Sequence, residues 1–202
     1  MSARDEILAR IRSALEGAEP APEVSRDYAR TVAGDVVRLA AERIADYRAT
    51  VTLTTATALP NAIAARLVAN GVRRLAVPAD LPSSWVSDFD GELVQDNGLS
   101  NAELDGCDGV LTASALAIAE TGTIVLDAGP GQGRRALTLI PDYHLCVVAA
   151  DRIVGTVPEA AELLDPKRPL TWISGPSATS DIELNRVEGV HGPRTLDVLI
   201  VE

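Results

Sequence analysis

The sequence predicts an α/β protein built on a mixed, largely parallel β-sheet with helices on both faces. Segments rich in Val, Leu and Ile, at 73–77, 145–149 and 197–201, alternate with segments whose apolar residues recur at helical spacing. Strands that are apolar along their whole length are typical of a parallel sheet buried on both sides. Between residues 108 and 154 some strands follow one another with no room for a helix, so we expect hairpins there.

The first 24 residues are expected to form an arm, a helix and a Pro-rich linker, that precedes a domain spanning residues 25–202. Ser2 can cap this helix and Gly17 can end it. Its apolar stripe consists of Ile7, Leu8, Ile11 and Leu15. Because a short helix on a linker cannot bury such a stripe alone, we expect the arm to dock on a neighbouring subunit or a partner.

The remaining elements are bounded by capping and turn residues. A second amphipathic helix is predicted at 36–47, and a third runs from Thr57 to the stop at Asn70-Gly71. Strands are expected at 51–54, 92–95, 108–112, 122–126, 152–155 and 170–174. Further helices are expected after Ser100 or Asn101, over 158–164, and from about residue 180.

Composition excludes several classes of function. The 202 residues are 47% hydrophobic and 23% charged, a balance that excludes wholesale disorder. Acidic residues outnumber Lys and Arg by 29 to 18, and the formal net charge is −11. Aromatic residues are limited to two Trp, three Tyr and one Phe. An acidic chain with so few stacking side chains is not expected to bind nucleic acid.

Cysteine usage and the start of the sequence bear on redox chemistry and location. Cys107 and Cys146 lie far apart in apolar sequence and match neither a disulfide framework nor a metal or iron–sulfur motif. We therefore expect this chain to carry no metal and no redox cofactor. The sequence shows no secretory signal and no apolar run long enough to span a membrane, so we expect a cytoplasmic protein.

Two short motifs lie where predicted strands begin. Glu120-Thr121-Gly122-Thr123 could hold a substrate or an anion through its side chains and bare backbone N–H groups. The structural alternative is a capped turn with a solvated Glu120. His144 stands at the entrance of the strand at 145–149, where acid–base work and a structural hydrogen bond are the two interpretations.

Two further loops carry glycines. The segment 129–135 fits no established phosphate-binding pattern, although Arg134 and Arg135 could bind phosphate or carboxylate; a solvated surface loop is the alternative. The segment 174–193 contains Ser177, Asp181 and His191, and the start of its predicted helix could attract an anion. Its acidic residues would compete with that anion.

The order and spacing of these motifs resemble the lactate utilization protein C family of LUD-domain proteins. The resemblance covers roughly residues 30–202 and rests on Glu-Thr-Gly-Thr at 120–123, Pro141 with His144, Gly-Pro-Ser-x-Thr-x-Asp-Ile-Glu at 175–183, and Gly-Val-His-Gly-Pro at 189–193. The leading helix is similar to the variable N-terminal arm of that family. Many members carry Arg after Gly-Pro-Ser, where this chain has Ala178. Arg134, Arg135 or Arg186 would then have to take over any anion binding by that arginine.

The resemblance implies a fold like that of the NagB/RpiA/CoA-transferase superfamily, close to 5-formyltetrahydrofolate cyclo-ligase. It also implies a role in oxidising L-lactate to pyruvate beside iron–sulfur proteins. Three hypotheses follow: a non-redox subunit of a lactate-oxidising system that binds a small anion; a free-standing transferase or cyclo-ligase-like enzyme that uses Glu120; and a structural interaction module. Self-association into a homo-oligomer is left open.

These lines of reasoning predict one polar pocket at the carboxyl ends of the strands, where loops distant in sequence converge. Glu120 is the expected catalytic residue. The expected ligand-binding residues are Thr121, Gly122, Thr123, His144, Gly175, Ser177, Asp181 and His191.

Overall fold

The main sheet of the protein contains six parallel strands. The structure is a computed structural model that describes residues 2–19, 22–179, 187–188 and 192–202. The strands, in their order across the sheet, are β1 (Thr50–Thr54), β12 (Thr195–Val201), β7 (Tyr143–Ala149), β4 (Gly109–Ala113), β2 (Arg74–Pro78) and β3 (Glu92–Asp96). The central pair β7 and β12 aligns Val198 with Cys146. The predicted α/β class with a largely parallel sheet is confirmed.

Helices cover both faces of this sheet. On one face lie α2 (Val36–Asp46) and α4 (Asn101–Asp105), and on the other lies α3 (Leu59–Ala69). Neighbouring residues of β12 show the division: Val198 belongs to the apolar cluster of α2, and Leu199 belongs to that of α3. Alternation of side chains along a strand therefore explains why β12 is apolar without interruption.

The antiparallel pairing expected between residues 108 and 154 lies in a second sheet. Its order is β8 (Ile153–Val154), β5 (Leu116–Ile118), β6 (Thr123–Leu126) and β9 (Thr171–Ile173), with β5 and β6 forming a hairpin. Ala117 and Ile124 pack towards the main sheet and α2. Leu116 and Val125 pack towards α5 (Val157–Leu163). Both faces of the hairpin are therefore apolar. The second sheet forms a layer that packs on the main sheet and α2 on one side and on α5 on the other.

Helix boundaries follow the capping residues named above. The hydroxyl of Ser100 accepts from the backbone N–H of Glu103, whose carboxylate accepts from the backbone of Ser100. Gly71 adopts a φ of 67° directly after α3. The helix expected near residue 180 is not capped by Thr179, which lies in β10 (Ala178–Thr179), paired with β11 (Val187–Glu188). Residues 180–186 lie outside the described part of the chain.

The arm helix α1 (Ala3–Leu15) begins at a capping box between Ser2 and Asp5. It has no buried residue. Ile7, Ile11 and Leu15 remain 59%, 49% and 62% exposed. Three of the four residues of the apolar stripe are therefore exposed to solvent, and Leu8 is half-buried. No helix in the described ranges is both long and apolar enough to cross a membrane.

A buried carboxylate ties α3 to the central strands. Asp197, 1% exposed, accepts hydrogen bonds at Oδ2 from Arg66 Nε at 2.8 Å, Asn70 Nδ2 at 3.0 Å and the Tyr143 hydroxyl at 2.8 Å. Its Oδ1 has no hydrogen-bond partner among the described residues. Burial, followed by the charge of Asp197, raises the pKa of Tyr143. Arg66 is the cation that compensates this buried charge.

Replacing Arg66 by Met is expected to lower the free energy of unfolding by about 3 kcal/mol. The reason is that removal of one partner leaves a buried carboxylate without a counter-ion. Urea unfolding at neutral pH measures the change. Arg38→Met, which breaks the exposed pair with Glu42, is the matched control and is expected to have no measurable effect. Equal effects of the two substitutions would contradict the prediction.

Deleting residues 1–16 is expected to leave the urea midpoint of the domain unchanged. The arm helix buries no side chain, so its removal exposes no core surface. Sedimentation velocity of the same variant measures whether the arm contributes to assembly, which the sequence predicts. A loss of domain stability would show that the arm packs on its own domain.

Candidate functional site

A cavity of about 310 Å³ opens between the main sheet and strand β9. It is bordered by His144 on β7, Leu196 on β12 and the segment 171–177, which runs from β9 into the following loop. His144 and Leu196 are the second residues of their strands. The cavity therefore lies at the amino ends of β7 and β12, not at the carboxyl ends where the pocket was expected. That expectation was wrong because the loop residues Pro141 and Asp142 precede β7, and Gly192 and Pro193 precede β12.

The lining combines one cation, several hydroxyls and an aromatic wall. The polar side chains are those of Arg135, Thr138, His144, Thr171, Ser174 and Ser177, and Trp172 provides the aromatic surface. Arg135 makes no ion pair with a described residue and is exposed to solvent. A guanidinium beside hydroxyl groups is suited to a carboxylate or another small anion.

His144 is the most deeply buried polar group of this lining, at 1% exposure. Its Nε2 lies 2.8 Å from Thr112 Oγ1, a hydroxyl on the neighbouring strand β4. Burial lowers the pKa of His144 to about 4, so the imidazole is neutral at physiological pH. Within the cavity it can therefore act as a hydrogen-bonding group but not as a cation.

Backbone geometry brings the loops at 174–177 and 192–193 together. The backbone N–H of Ser177 donates to the carbonyl oxygen of Pro193 at 2.8 Å. Gly175 adopts a φ of 84° and lies against α2, where a Cβ would come within 2.5 Å of Tyr47 Cβ. A side chain at Gly192 would point between Ser177 and Thr138. Glycine is thus required at Gly175 by both conformation and space.

The 120–123 motif forms the β5–β6 turn and contributes only indirectly to the cavity. Glu120 is exposed and does not line it, and Gly122 packs against the backbone of Arg43 on α2. Thr121 Oγ1 donates to Thr123 Oγ1 at 2.8 Å. Thr123 Oγ1 in turn lies 2.9 Å from Ser174 Oγ, which does line the cavity. The predicted convergence with the 174–177 loop is therefore made through Thr123.

The glycine-rich loop is occupied by carboxylates of the protein itself. The N–H groups of Gly129 and Gly131 donate to Asp127 Oδ1 and Asp80 Oδ2, each at 3.0 Å. The loop is therefore not an open cradle for phosphate.

The two arginines that follow this loop have different environments. Arg134 is bound to Asp96, with Nε 2.7 Å from Oδ2, and this hydrogen bond is the main cause of the lowered pKa of Asp96. Of these two arginines, Arg135 is thus the one available to a ligand in the cavity. Arg186, the third arginine named from the sequence, lies outside the described residues.

Some site residues fall outside these observations. Asp181 and His191 lie outside the described residues. Thr138 and Trp172 were not named from the sequence, because they lie in a short 3₁₀ helix and an edge strand, with no motif to mark them. Ser174, the first residue of the segment 174–193, does line the cavity. Within the described ranges, no group of three His, Cys, Asp or Glu side chains is arranged to hold a metal ion.

Comparison with known proteins identifies the family. The model of the LUD domain family matches residues 85–201, which include the strands and most of the loops around the cavity. The chain belongs to the LUD domain family. The resemblance recognised from the sequence motifs is thereby confirmed.

Relatives of this LUD domain protein include one that matches nearly its whole length. A Deinococcus radiodurans protein named lactate utilization protein C is 48% identical over 206 residues, covering 98% of this chain and 95% of the relative. A Halalkalibacterium halodurans protein of the same name is 34% identical over 100 residues, covering 46% of this chain and 43% of the relative. The crystal structure of a DUF162 family protein from Deinococcus radiodurans matches with a TM-score of 0.70 and 46% identity, covering 83% of this chain and 96% of that one.

The buried imidazole of this LUD domain is expected to make stability dependent on pH. An unfolded histidine takes up a proton near pH 6.5, whereas His144 in the folded state does so only near pH 4. The contribution of the neutral ring to stability is therefore complete above pH 6.5 and is lost as the pH falls towards 4. Between pH 7 and 4.5 the wild-type protein should lose about 2–3 kcal/mol more than His144→Gln in urea unfolding. Parallel pH profiles for the two proteins would contradict this assignment.

Proposed function

We propose that this protein is a non-redox component of L-lactate utilization that binds a small carboxylate anion in the cavity and works with iron–sulfur partner proteins. The role in lactate utilization is supported by the name of the relative that matches nearly the whole chain. Anion binding is supported by Arg135, a cation at a cavity that also presents hydroxyl groups. This placement of Arg135 is the single observation that carries the proposal.

The carboxylate of the ligand is expected to pair with Arg135, with Ser174 as a further hydrogen-bond donor. Glu120 is outside the lining, so its charge does not oppose the anion at close range. The chain itself then binds and orients the carboxylate, and the electrons released on oxidation pass to partner proteins that carry redox centres.

The two alternative functions receive different support. An enzyme that uses Glu120 as acid, base or nucleophile needs its carboxylate against the substrate, and the exposed position of Glu120 on the β5–β6 turn does not provide this. An interaction role is supported by the exposed stripe of α1 and is compatible with the proposed one. A partner-binding arm and an anion-binding domain would together suit a subunit of a larger system.

Arg135→Gln is expected to weaken binding of L-lactate at least tenfold, because a charge-assisted hydrogen bond to the carboxylate is lost. Isothermal titration calorimetry measures the affinity. In a deletion strain of the native organism, the same variant is expected not to restore growth on lactate. Arg38→Gln, an exposed arginine on α2 remote from the cavity lining, is the matched control and should bind and complement like the wild type. Normal binding and growth with Arg135→Gln would overturn the proposal.

A further inference from the structure

The lining of the cavity has a charged end and an apolar part. Arg135 and Thr138 border the cavity where it adjoins a second, smaller cavity of about 20 Å³. Among the described residues, Leu139, Pro176 and Pro193 border the main cavity and do not border the smaller one. The junction of the two cavities therefore marks the charged end, and the leucine and the two prolines line the remainder.

The tip of the Leu139 side chain lies in this apolar part. A Cβ placed on Gly192, which also lines the cavity, would lie 3.9 Å from Leu139 Cδ2 and 3.6 Å from Ser177 Cβ. The backbone N–H of Ser177 donates to the carbonyl oxygen of Pro193 at 2.8 Å, which fixes the opposite wall. Leu139 nevertheless remains 39% exposed. An apolar group that covered it would remove apolar surface from water on both partners.

A three-carbon acid is too small to fill this cavity. Lactate has six non-hydrogen atoms, and even at the ~30 Å³ that each water takes in the liquid they occupy at most about 180 Å³. The cavity measures about 310 Å³. With its carboxylate at Arg135, a molecule of this size therefore leaves more than a third of the cavity unfilled. The unfilled part includes surface of Leu139 and the two prolines.

We infer that the cavity binds carboxylates that carry an apolar chain of about six carbons, and that Leu139 is a specificity-determining residue that contacts this chain. The inference rests on the proposed function, because Arg135 must hold the carboxylate for the chain to extend towards Leu139. Burial of apolar surface supplies the preference for a longer chain, at up to about fourfold in affinity for each methylene that is fully buried. Cavities of this volume are typical of sites for ligands larger than lactate.

Three unbranched carboxylates that differ only in chain length test the inference. Calorimetric titration of the full-length protein is expected to show affinity rising from propionate through butyrate to hexanoate, with hexanoate binding at least ~10-fold more tightly than propionate. Arg135→Gln should weaken all three ligands together, since they share the carboxylate. Deletion of residues 1–16 should leave the series unchanged, which distinguishes the cavity from the exposed stripe of α1 as the binding site for the chain.

Leu139→Asn tests the apolar part of the lining with a side chain of similar size. The amide stays hydrated and gains little from contact with methylene groups, so the ratio of hexanoate to propionate affinity is expected to fall to less than about threefold. Leu93→Asn makes the same change on strand β3, at a leucine that is 42% exposed and does not line the cavity, and should retain the wild-type ratio. Unfolding curves check that each variant is folded.

The outcomes separate this inference from the proposed function. Equal affinity for the three carboxylates, with all of them weakened by Arg135→Gln, would overturn the inference and leave the proposed function standing. An unchanged ratio in Leu139→Asn would also overturn the inference, because the chain would then lie elsewhere. Failure of every carboxylate to bind, L-lactate included, would overturn both.

Discussion

The burial of β7 and β12 on both faces is the constraint on which the rest of this structure depends. A polar side chain in the buried part of these strands has no access to bulk solvent, so it must find a partner within the protein or at a cavity. Asp197 finds Arg66, Asn70 and Tyr143 at the α3 face. His144 finds Thr112 on the adjacent strand and borders the cavity. The same burial that stabilises the sheet thus keeps the imidazole of His144 neutral at physiological pH.

The two sheets explain how a cavity forms at the amino ends of parallel strands. The second sheet lies over one face of the main sheet, and its edge strand β9 stands opposite the beginnings of β7 and β12. The turn at 120–123 supports this edge, because Thr123 is hydrogen-bonded to Ser174 and Gly122 packs on α2. The motif therefore has a structural role in positioning the wall of the cavity, even though its acidic residue faces solvent.

Much of the fold and part of the site could be predicted from the sequence. Strands that are apolar without interruption can be recognised locally, and so can helix starts with a capping pair such as Ser100 and Glu103. Gly175 and Gly192 mark the two loops that converge. The separation into two sheets could not be predicted, since a hairpin buried on both faces has the same apolar pattern as a central parallel strand. The contribution of Trp172 was also hidden, because which side of an edge strand faces a cavity depends on how the layers stack.

The carboxylates that fill the glycine-rich loop have a consequence for the energetics of ligand binding. Asp80 and Asp127 hold the loop backbone, Arg168 holds Asp127, and Arg134 is fastened to Asp96. The short helix that begins at Arg135 is therefore anchored before any ligand arrives. Binding of the proposed anion would restrict the rotamers of the Arg135 side chain, at an entropic cost of up to about 2 kcal/mol, without a further cost for ordering the backbone. The backbone that carries Arg135 is thus held in place by carboxylates of the protein itself.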